Sequence, residues 1–259
     1  MKNSLESSVE GLLNDLYIAA EGAGLRKEDF RKAKQVASLL IEIERAVRHS
    51  SRHSPFLMID SAAGKSYLGL LAARLVFERL GTSAAIVCIE QDPRRMALSR
   101  AAAERLSTKI KIDFLTADVS SAAAWPQRPS LVTALHACGP AADAIIERTV
   151  ASEARMLLLV PCCTGSAIPG TRLAERKAER FGFARHAPIR RRFFQTVLDA
   201  GRTWRLEAAG YQTEVVEFVA PTVTPHNLLW RSRRVMEPKR MSMAREVLAK
   251  LQAEGLAMS

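Results

Sequence analysis

Short apolar runs alternate with amphipathic segments along most of the chain. The strand-like runs are 56–59, 84–89, 110–115, 131–135 and 156–160, and the segments 67–77 and 93–106 carry apolar residues at helical spacing. Strands that are buried on both faces give continuous apolar runs, and helices connect one parallel strand to the next. The alternation therefore predicts an α/β fold with a doubly wound, mostly parallel sheet.

Further patterns flank this central region. Apolar residues recur at helical spacing in 3–22 and 30–43, and another helix is predicted over 243–251. Two late strands, 213–220 and 227–231, are joined by a short connection, which favours an antiparallel final strand. We therefore predict a seven-stranded sheet with N-terminal helices. The predicted divisions are a helical segment at 1–50 packed on the core, a ligand-binding domain at 51–235 and a C-terminal helix at 236–259.

The turn after the first strand is the first candidate site. The strand ends in Asp60 and is followed by Ser61-Ala62-Ala63-Gly64, while the second strand, roughly 30 residues later as in a βαβ unit, ends in Glu90. Small turn residues let backbone amides and a helix N-terminus approach a ligand, and a carboxylate after the next strand can accept both hydroxyls of a ribose. The arrangement predicts a ligand that contains adenosine.

Three adenosine ligands compete for this turn. A nicotinamide dinucleotide requires G-x-G-x-x-G, whereas the turn supplies one glycine, Gly64. An ATP-binding P-loop would need glycine where Ile59 stands. Asp60 and Glu90 therefore favour S-adenosylmethionine. The alternative is a βαβ unit that binds no ligand.

Reactive side chains follow the later strands. The third strand ends at Asp118, where a carboxylate can accept a hydrogen bond from an adenine amine. An aspartate in an ordinary surface loop is the alternative interpretation. The fourth strand opens into His136-Ala137-Cys138-Gly139, and the fifth into Pro161-Cys162-Cys163. Because ligands bind at the carboxyl ends of parallel strands, the reacting groups are expected in these loops. A backbone-bonded histidine and small buried cysteines are the structural alternatives.

Composition narrows the class of protein. The 259 residues fit one α/β domain with attachments, and the sequence contains neither an apolar stretch of membrane-spanning length nor a signal-peptide pattern. We therefore predict a soluble, cytoplasmic protein without a membrane partner. The four cysteines form no C-x-x-C pair, so neither a disulfide framework nor a metal site is predicted.

Positive charge is concentrated in the second half of the chain. The net charge is +11, and 172–205 holds ten basic residues against three acids, while 231–245 holds six against one. This predicts an RNA contact surface, with 166–192 as a basic insertion on the substrate side. The candidate RNA-binding residues are Arg190, Arg191, Arg192, Arg231 and Arg233. A solvated basic surface is the alternative.

Four strings of the sequence resemble one methyltransferase-domain family. Residues 60–68, DSAAGKSYL, are similar to its D-x-G-x-G-K-G-Y-L turn, and 135–143, LHACGPAAD, resemble its L-H-x-C-G-x-x-(T)-D segment. The sequence PCC at 161–163 and TPHNLL at 224–229 also match its pattern. The family consists of class I S-adenosylmethionine-dependent methyltransferases, and it includes the glutathione S-transferase C-terminal-domain-containing protein and the eukaryotic tRNA ribose 2′-O-methyltransferase. The resemblance covers about residues 30–235.

The resemblance implies a role for each residue of the site. Asp60 and Gly64 should hold the methionine end of the cofactor, Glu90 its ribose and Asp118 its adenine. The remaining cofactor-binding candidates are Ser61, Ala62, Tyr67, Gln91, Val119 and His136. The chain departs from the family pattern at Ala62 and Ser66, where the family turn has glycine, and this narrows the room for the methionine moiety. The zinc-binding segments of the tRNA enzyme are absent.

The candidate catalytic residues are His136, Cys138, Cys162 and Cys163. His136 is a candidate general base or orienting group, since an imidazole titrates near neutral pH. The cysteines suggest an alternative, in which a thiolate beside Pro161 attacks a cytosine ring; such enzymes carry an acid where this chain has Val160. In-line alignment of the reacting groups can also suffice without a base.

These observations lead to one expected function and two alternatives. We expect a S-adenosylmethionine-dependent methyltransferase that acts on RNA, with tRNA as the leading substrate by analogy. The alternatives are an RNA-binding protein with a degenerate cofactor pocket, and a methyltransferase of a protein or small molecule.

Overall fold

The computed structural model describes residues 2–18, 26–50, 54–163, 171–183 and 186–254. In these ranges the strands are β1 Phe56–Ser61, β2 Ala84–Glu90, β3 Lys111–Thr116, β4 Leu131–Cys138, β5 Met156–Cys163, β6 Tyr211–Glu217 and β7 Leu228–Arg234. The helices are α1 Lys2–Leu13, α2 Lys27–Arg48, α3 Tyr67–Ala72, α4 Pro93–Leu106, α5 Ala141–Ala151, α6 Thr171–Arg180, α7 Ala187–Ala208 and α8 Pro238–Ala253. π-Helical turns follow α1 at Asn14–Ile18 and α3 at Ala73–Glu78, and a 3₁₀ turn spans Ala122–Ala124. Within the described ranges, no helix has the length and apolar character to span a bilayer.

The strands of the described ranges form one seven-stranded sheet in the order β3-β2-β1-β4-β5-β7-β6. β1 to β5 are mutually parallel, whereas β7 runs antiparallel to both β5 and β6. The predicted doubly wound, mostly parallel sheet is therefore confirmed. The strand order reverses between β1 and β4, and such a switch point opens a crevice at the carboxyl ends of the strands.

Helices cover both faces of the sheet. Met58 and Ile59 are neighbours on β1, so their side chains point to opposite faces, and both are fully buried. Met58 belongs to a core that also contains Leu40 of α2, while Ile59 belongs to a core that contains Ile145 of α5. The predicted divisions at 51 and 235 stay predictions.

Several element boundaries differ from those predicted. β7 extends to Arg234 instead of ending at 231, and α8 begins at Pro238 instead of 243. β6 ends at Glu217 instead of continuing to 220. Phe218 and Val219 are apolar because they are buried within the turn, where the Asn227 side-chain amide donates to the Val219 carbonyl at 3.1 Å. α7 begins at Ala187, and Pro188 in its first turn favours this start. Residues 19–22 of the first predicted helix, and residues 166–170 and 184–185 of the predicted insertion, lie outside the described ranges.

A buried ion-pair cluster fixes α7 to α5. Asp143, in the first turn of α5, accepts from Arg202 Nη2 at 2.9 Å and also from Arg205. Arg202 is 1% exposed and pairs in addition with Asp199 at 3.2 Å. Burial raises the pKa of Asp199 to about 6, against the opposing effect of Arg202. Because α5 starts just beyond the carboxyl end of β4, the segment of α7 before Arg202 extends beyond that edge of the sheet.

Candidate functional site

The turn between β1 and α3 has a left-handed backbone at two positions where the family has glycine and this chain does not. Ala62 and Ser66 have φ values of 51° and 54°, and Gly64 has a φ of 60°. The turn is closed by the Ser66 amide, which donates to the Ala63 carbonyl at 2.8 Å. A left-handed conformation costs roughly 1–2 kcal/mol for a residue with a side chain. Ala62 and Ser66 therefore adopt the left-handed conformation that glycine would adopt more easily. The turn keeps its path, at a cost in conformational energy.

Replacing Ala62 by glycine is expected to stabilise the protein by about 0.5–1 kcal/mol. The substitution relieves the left-handed strain, and this gain exceeds the entropy that a glycine adds to the unfolded chain. Ala63, whose φ is not positive, provides the matched control, and Ala63→Gly should destabilise by a similar amount. Urea unfolding measures both variants, and a loss of stability in Ala62→Gly would contradict the strain argument.

Glu90 lies between the turns that follow β1 and β2. Its Oε2 accepts from the Gly64 amide at 2.8 Å, its Oε1 accepts from the Asp92 amide at 2.9 Å, and the residue is 5% exposed. Each carboxylate oxygen keeps a further acceptor position. The carboxylate is thus held in place by backbone amides, with acceptor capacity left for ligand hydroxyls. Gln91, the next residue, is exposed.

Asp60 and Ser61 are directed towards the protein interior. Asp60 Oδ2 accepts from the Gly69 amide of α3 at 2.9 Å, and Ser61 Oγ donates to the Thr133 carbonyl at 2.8 Å. A Cβ at Gly69 would lie 2.9 Å from Cys88 Sγ and 3.2 Å from Asp60 Oδ2, so this glycine permits the close approach of α3 to the sheet. The hydrogen bond between Asp60 and Gly69 holds α3 against β1 on the interior side of the turn. The contact of Asp60 with the methionine end of the cofactor stays a prediction.

Burial raises the pKa of Asp60 to about 7, against the lowering effects of its hydrogen bonds from Gly69 and Thr133. The native state therefore holds a proton that the unfolded state releases between about pH 4 and pH 7, so Asp60 makes stability fall as pH rises through this window. Asp60→Asn should remove this dependence. Relative to the variant, the wild type should lose roughly 2–3 kcal/mol between pH 5 and pH 8.

Urea unfolding of both proteins at the two pH values measures the difference. Asp113→Asn is the control because the side chain of Asp113 is 46% exposed on β3. An equal pH dependence in wild type and Asp60→Asn would contradict the role assigned to burial.

His136 lies at an irregularity in β4. The register with β5 shifts between Leu135 and Ala137, and His136 has a φ of 65°. Burial lowers the pKa of the imidazole, and the nearby charges of His226 and Lys32 lower it further. The neutral form, which can accept a proton, is therefore favoured.

Three further residues border this site and were not assigned a role from sequence. The Lys32 ammonium lies 4.4 Å from the centre of the Tyr67 ring, and burial lowers its pKa. The Tyr17 hydroxyl donates to the Lys65 carbonyl at 2.6 Å, and its ring meets Tyr67 edge-on. Burial also lowers the pKa of His226. Of these, His226 had a sequence signal, since it belongs to the TPHNLL string.

The cysteine loops meet at the ends of β4 and β5. Cys138 is exposed and Cys162 is buried, and their reduced Sγ atoms lie 2.6 Å apart. Cys138 is also the register partner of Cys163, whose side chain lies outside the described part of the chain. The structure thus brings His136, Cys138 and Cys162 to one edge, as predicted, and their catalytic roles stay predictions.

Asp118 lies at the same edge, beyond β3. The carboxylate accepts from the Ser120 amide at 2.7 Å, and hydrogen bonds from Ser120 hold its pKa below the usual range. The Ala117 amide donates to the Glu90 carbonyl at 3.1 Å, which ties this turn to the previous one. The carbonyl of the buried Val119 accepts from the Trp125 indole at 2.9 Å. Asp118, Glu90 and Gly64 thus follow the neighbouring strands β3, β2 and β1. This is the order in which the adenine, ribose and amino-acid parts of a ligand would lie along the edge.

The five candidate RNA-binding arginines do not form one surface. Arg190, Arg191 and Arg192 lie in the second turn of α7. Arg231 and Arg233 are paired with Leu158 and Met156 at the start of β5, because β7 runs antiparallel to it. These two arginines therefore lie at the amino edge of the sheet, opposite the candidate site.

A family model described as a methyltransferase domain matches residues 31–166. No curated protein matches the chain. Among solved structures, the S-adenosylhomocysteine-bound methyltransferase PaMTH1 of Podospora anserina is 10% identical, with a TM-score of 0.53 over 89% of this chain and 88% of that one. Magnesium protoporphyrin IX methyltransferase of Synechocystis is 13% identical, with a TM-score of 0.48 over 89% and 99%. A putative RNA methyltransferase of Pyrococcus horikoshii is also 13% identical, with a TM-score of 0.46 over 92% and 98%.

The structural similarities at these identities concern the fold. The family match is the stronger finding because its 136 residues are more than half of the 259-residue chain. It contains the β1 turn, Glu90, Asp118, His136 and both described cysteines of the site. The strand order and this family match together establish that the chain belongs to the methyltransferase-domain family, a class I methyltransferase with S-adenosylmethionine as its cofactor.

Proposed function

We propose that RNA is the methyl acceptor of this methyltransferase. The observation that carries the proposal is a basic and aromatic arm, formed by the described residues 176–183 and 186–194 of the α6–α7 region. It follows β5, whose carboxyl end borders the cofactor site.

The arm presents aromatic rings beside positive charges. Phe181 and Phe183 are 53% and 37% exposed, and the ring centres of Phe183 and Phe193 lie 4.5 Å apart. Arg191 and Arg192 are also exposed. Proteins bind single-stranded nucleic acid by stacking bases on aromatic rings and by contacting phosphates with arginine. The arm supplies both kinds of contact.

The length of α7 supports a substrate-side location for the arm. From Ala187 to Arg202 the helix rises about 22 Å. Arg202 is bound to Asp143 near the carboxyl edge of β4, and the helix ends just before β6 starts at the amino edge. This direction of α7 supports a position for its first turns on the side of the sheet that carries Gly64, Glu90 and His136, where a large acceptor would bind.

The residues at this edge suggest how the transfer would proceed. S-Adenosylmethionine supplies an electrophilic methyl group, and we assign its ribose to Glu90, its adenine to Asp118 and its methionine end to the Gly64 turn. Alignment of acceptor and methyl group supplies most of the catalysis. A neutral His136 can accept the proton that the acceptor loses. By the sequence resemblance, tRNA is the leading acceptor.

Methyl-acceptor screening tests the proposal. Purified protein is incubated with isotopically labelled S-adenosylmethionine and separate pools of tRNA, ribosomal RNA, protein and small molecules. We expect label in RNA, with tRNA labelled most strongly. Label in protein or small molecules alone would overturn the proposal.

Removing the charge of the arm should weaken RNA binding. Arg191→Ala/Arg192→Ala is expected to reduce RNA affinity at least tenfold and to flatten its salt dependence, since counterion release at phosphates drives such binding. The affinity for S-adenosylmethionine should not change. Lys239→Ala/Arg245→Ala, which removes two exposed charges from α8, is the matched control. Equal RNA affinity in the two double variants would show that the arm is not the contact surface.

A further inference from the structure

A cavity opens at the amino edge of the sheet, opposite the cofactor site. Its volume is about 990 Å³, at the upper end of the usual range for ligand sites. The walls are formed by the end of α2, the starts of β4, β5 and β6 and the end of β7. No residue assigned to the cofactor lines it. We call this cavity the amino-edge cleft.

Arginine dominates the lining of the amino-edge cleft. The arginines are Arg45, Arg128, Arg155, Arg231, Arg233 and Arg234, and the acids are Glu42, Glu153 and Glu214. Six arginines against three glutamates leave three uncompensated positive charges. Like charges repel when they are held together, so this concentration favours an anionic counterpart.

The glutamates position the arginines without neutralising them. Glu153 pairs with Arg128 at 2.9 Å and with Arg234 at 3.1 Å. Glu42 pairs in the same way with Arg45 at 2.9 Å and with Arg231 at 2.8 Å. Arg231 also lies 3.9 Å from Glu214, so the two arginines beside Glu42 face two acids. The excess charge therefore belongs to the pair of arginines held by Glu153 and to Arg155 and Arg233. A guanidinium has five N–H donors, and most of them remain available.

Three arginines of the cleft are incompletely paired within the described residues. Arg231 Nε is buried and has no hydrogen-bond partner there. Arg155 forms no ion pair with any described residue, and Arg233 donates to Gln212 Oε1 at 3.2 Å without an acidic partner in the described ranges. An unsatisfied buried donor is unfavourable because it has lost its hydrogen bonds to water.

We propose that the amino-edge cleft binds the phosphate groups of a nucleotide-sized anion. The planar fork of arginine matches phosphate oxygens in pairs, and the cleft holds several such forks at fixed positions. The phosphates can belong to a free nucleoside polyphosphate or to a stretch of RNA backbone. The proposal does not depend on the identity of the methyl acceptor.

Calorimetric titration in phosphate-free and sulfate-free buffer tests the cleft. The probes are inorganic triphosphate, ATP and a single-stranded RNA oligonucleotide. We expect triphosphate to bind the wild type and to lose at least tenfold in affinity in Arg155→Ala/Arg233→Ala. Both residues are exposed, so the variant should keep the wild-type melting temperature. Lys239→Ala/Arg245→Ala, with the same loss of charge on α8, should keep the wild-type affinity.

The other probes identify the source of the phosphates. If the Arg155/Arg233 variant loses ATP binding and keeps RNA binding, the source is a free nucleotide, and the reverse pattern identifies RNA backbone. Failure of the wild type to bind triphosphate would overturn the proposal, as would equal losses in the two double variants. Neither result would affect the methyl-acceptor assay, so the two proposals fail separately.

Discussion

Replacing Asp143 by alanine is expected to lower the free energy of unfolding by about 3–5 kcal/mol. The Asp143 carboxylate binds both Arg202 and Arg205, and Arg202 is 1% exposed. Without the carboxylate, a buried guanidinium retains only Asp199 as an ionic partner among the described residues. Breaking a buried ion pair from one side is costly because the remaining charge stays desolvated. Urea denaturation of the purified variant measures the loss.

Glu147→Ala is the matched control for this prediction. Glu147 lies one turn later on the same helix and is exposed, so its removal should change stability by less than about 0.5 kcal/mol. In the double variant Asp143→Ala/Arg202→Met, part of the stability should return because the unpaired charge is also removed. If Asp143→Ala and Glu147→Ala unfolded at the same urea concentration, the buried cluster would not hold α7.

Glu90→Ala is expected to weaken S-adenosylmethionine binding at least 30-fold, equivalent to about 2 kcal/mol. Two effects combine in this loss. The carboxylate fixes the Gly64 and Asp92 amides at 2.8 and 2.9 Å, and its remaining acceptor positions serve the ribose hydroxyls. Hydrogen bonds to a charged group contribute about 1.5–3 kcal/mol each. Isothermal titration calorimetry measures the change.

A nucleoside comparison separates the two effects of Glu90. Wild-type protein should bind adenosine more tightly than 2′,3′-dideoxyadenosine, and Glu90→Ala should bind the two equally. Glu104→Ala, an exposed acid of α4, should behave as wild type. If Glu90→Ala still preferred adenosine by the wild-type factor, the ribose would have to be assigned to another residue.

The central strands could be predicted from sequence because burial on both faces leaves a plain signal. β1 to β5 read as continuous apolar runs, and each ends close to where its run ends. The edge of the sheet gives a weaker signal. Val215 of β6 is 41% exposed, whereas Phe218 and Val219 in the following turn are buried. At this edge of the sheet, apolar residues occur in the turn as well as in the strand. The apolar pattern therefore placed the end of β6 three residues too late, at 220 instead of Glu217.

The candidate site was partly predictable for a related reason. Gly64 and Glu90 follow successive parallel strands, so their proximity depends on local chain order. Lys32 and Tyr17 reach the site from helices that precede the sheet, and no spacing in the sequence reveals that contact. The inward direction of Asp60 likewise depends on the approach of Gly69 to β1 and β2.

Charge counting failed to separate the two groups of arginines for a topological reason. Arg192 and Arg231 both belong to basic stretches of the second half of the chain. The antiparallel direction of β7 places Arg231 at the amino edge, while the start of α7 lies beyond the opposite edge. Net charge carries no information about which edge a residue reaches.

The contact between α5 and α7 also links two events in solution. Asp143 lies seven residues after His136, and the same carboxylate anchors the helix that carries the arm. If the acceptor binds the arm as proposed, immobilising the arm would also restrain the chain segment that positions the imidazole. Part of the conformational entropy of the loop after β4 would then be lost on acceptor binding, before methyl transfer begins. By linkage, a ligand that orders the loop first should tighten acceptor binding by the same factor.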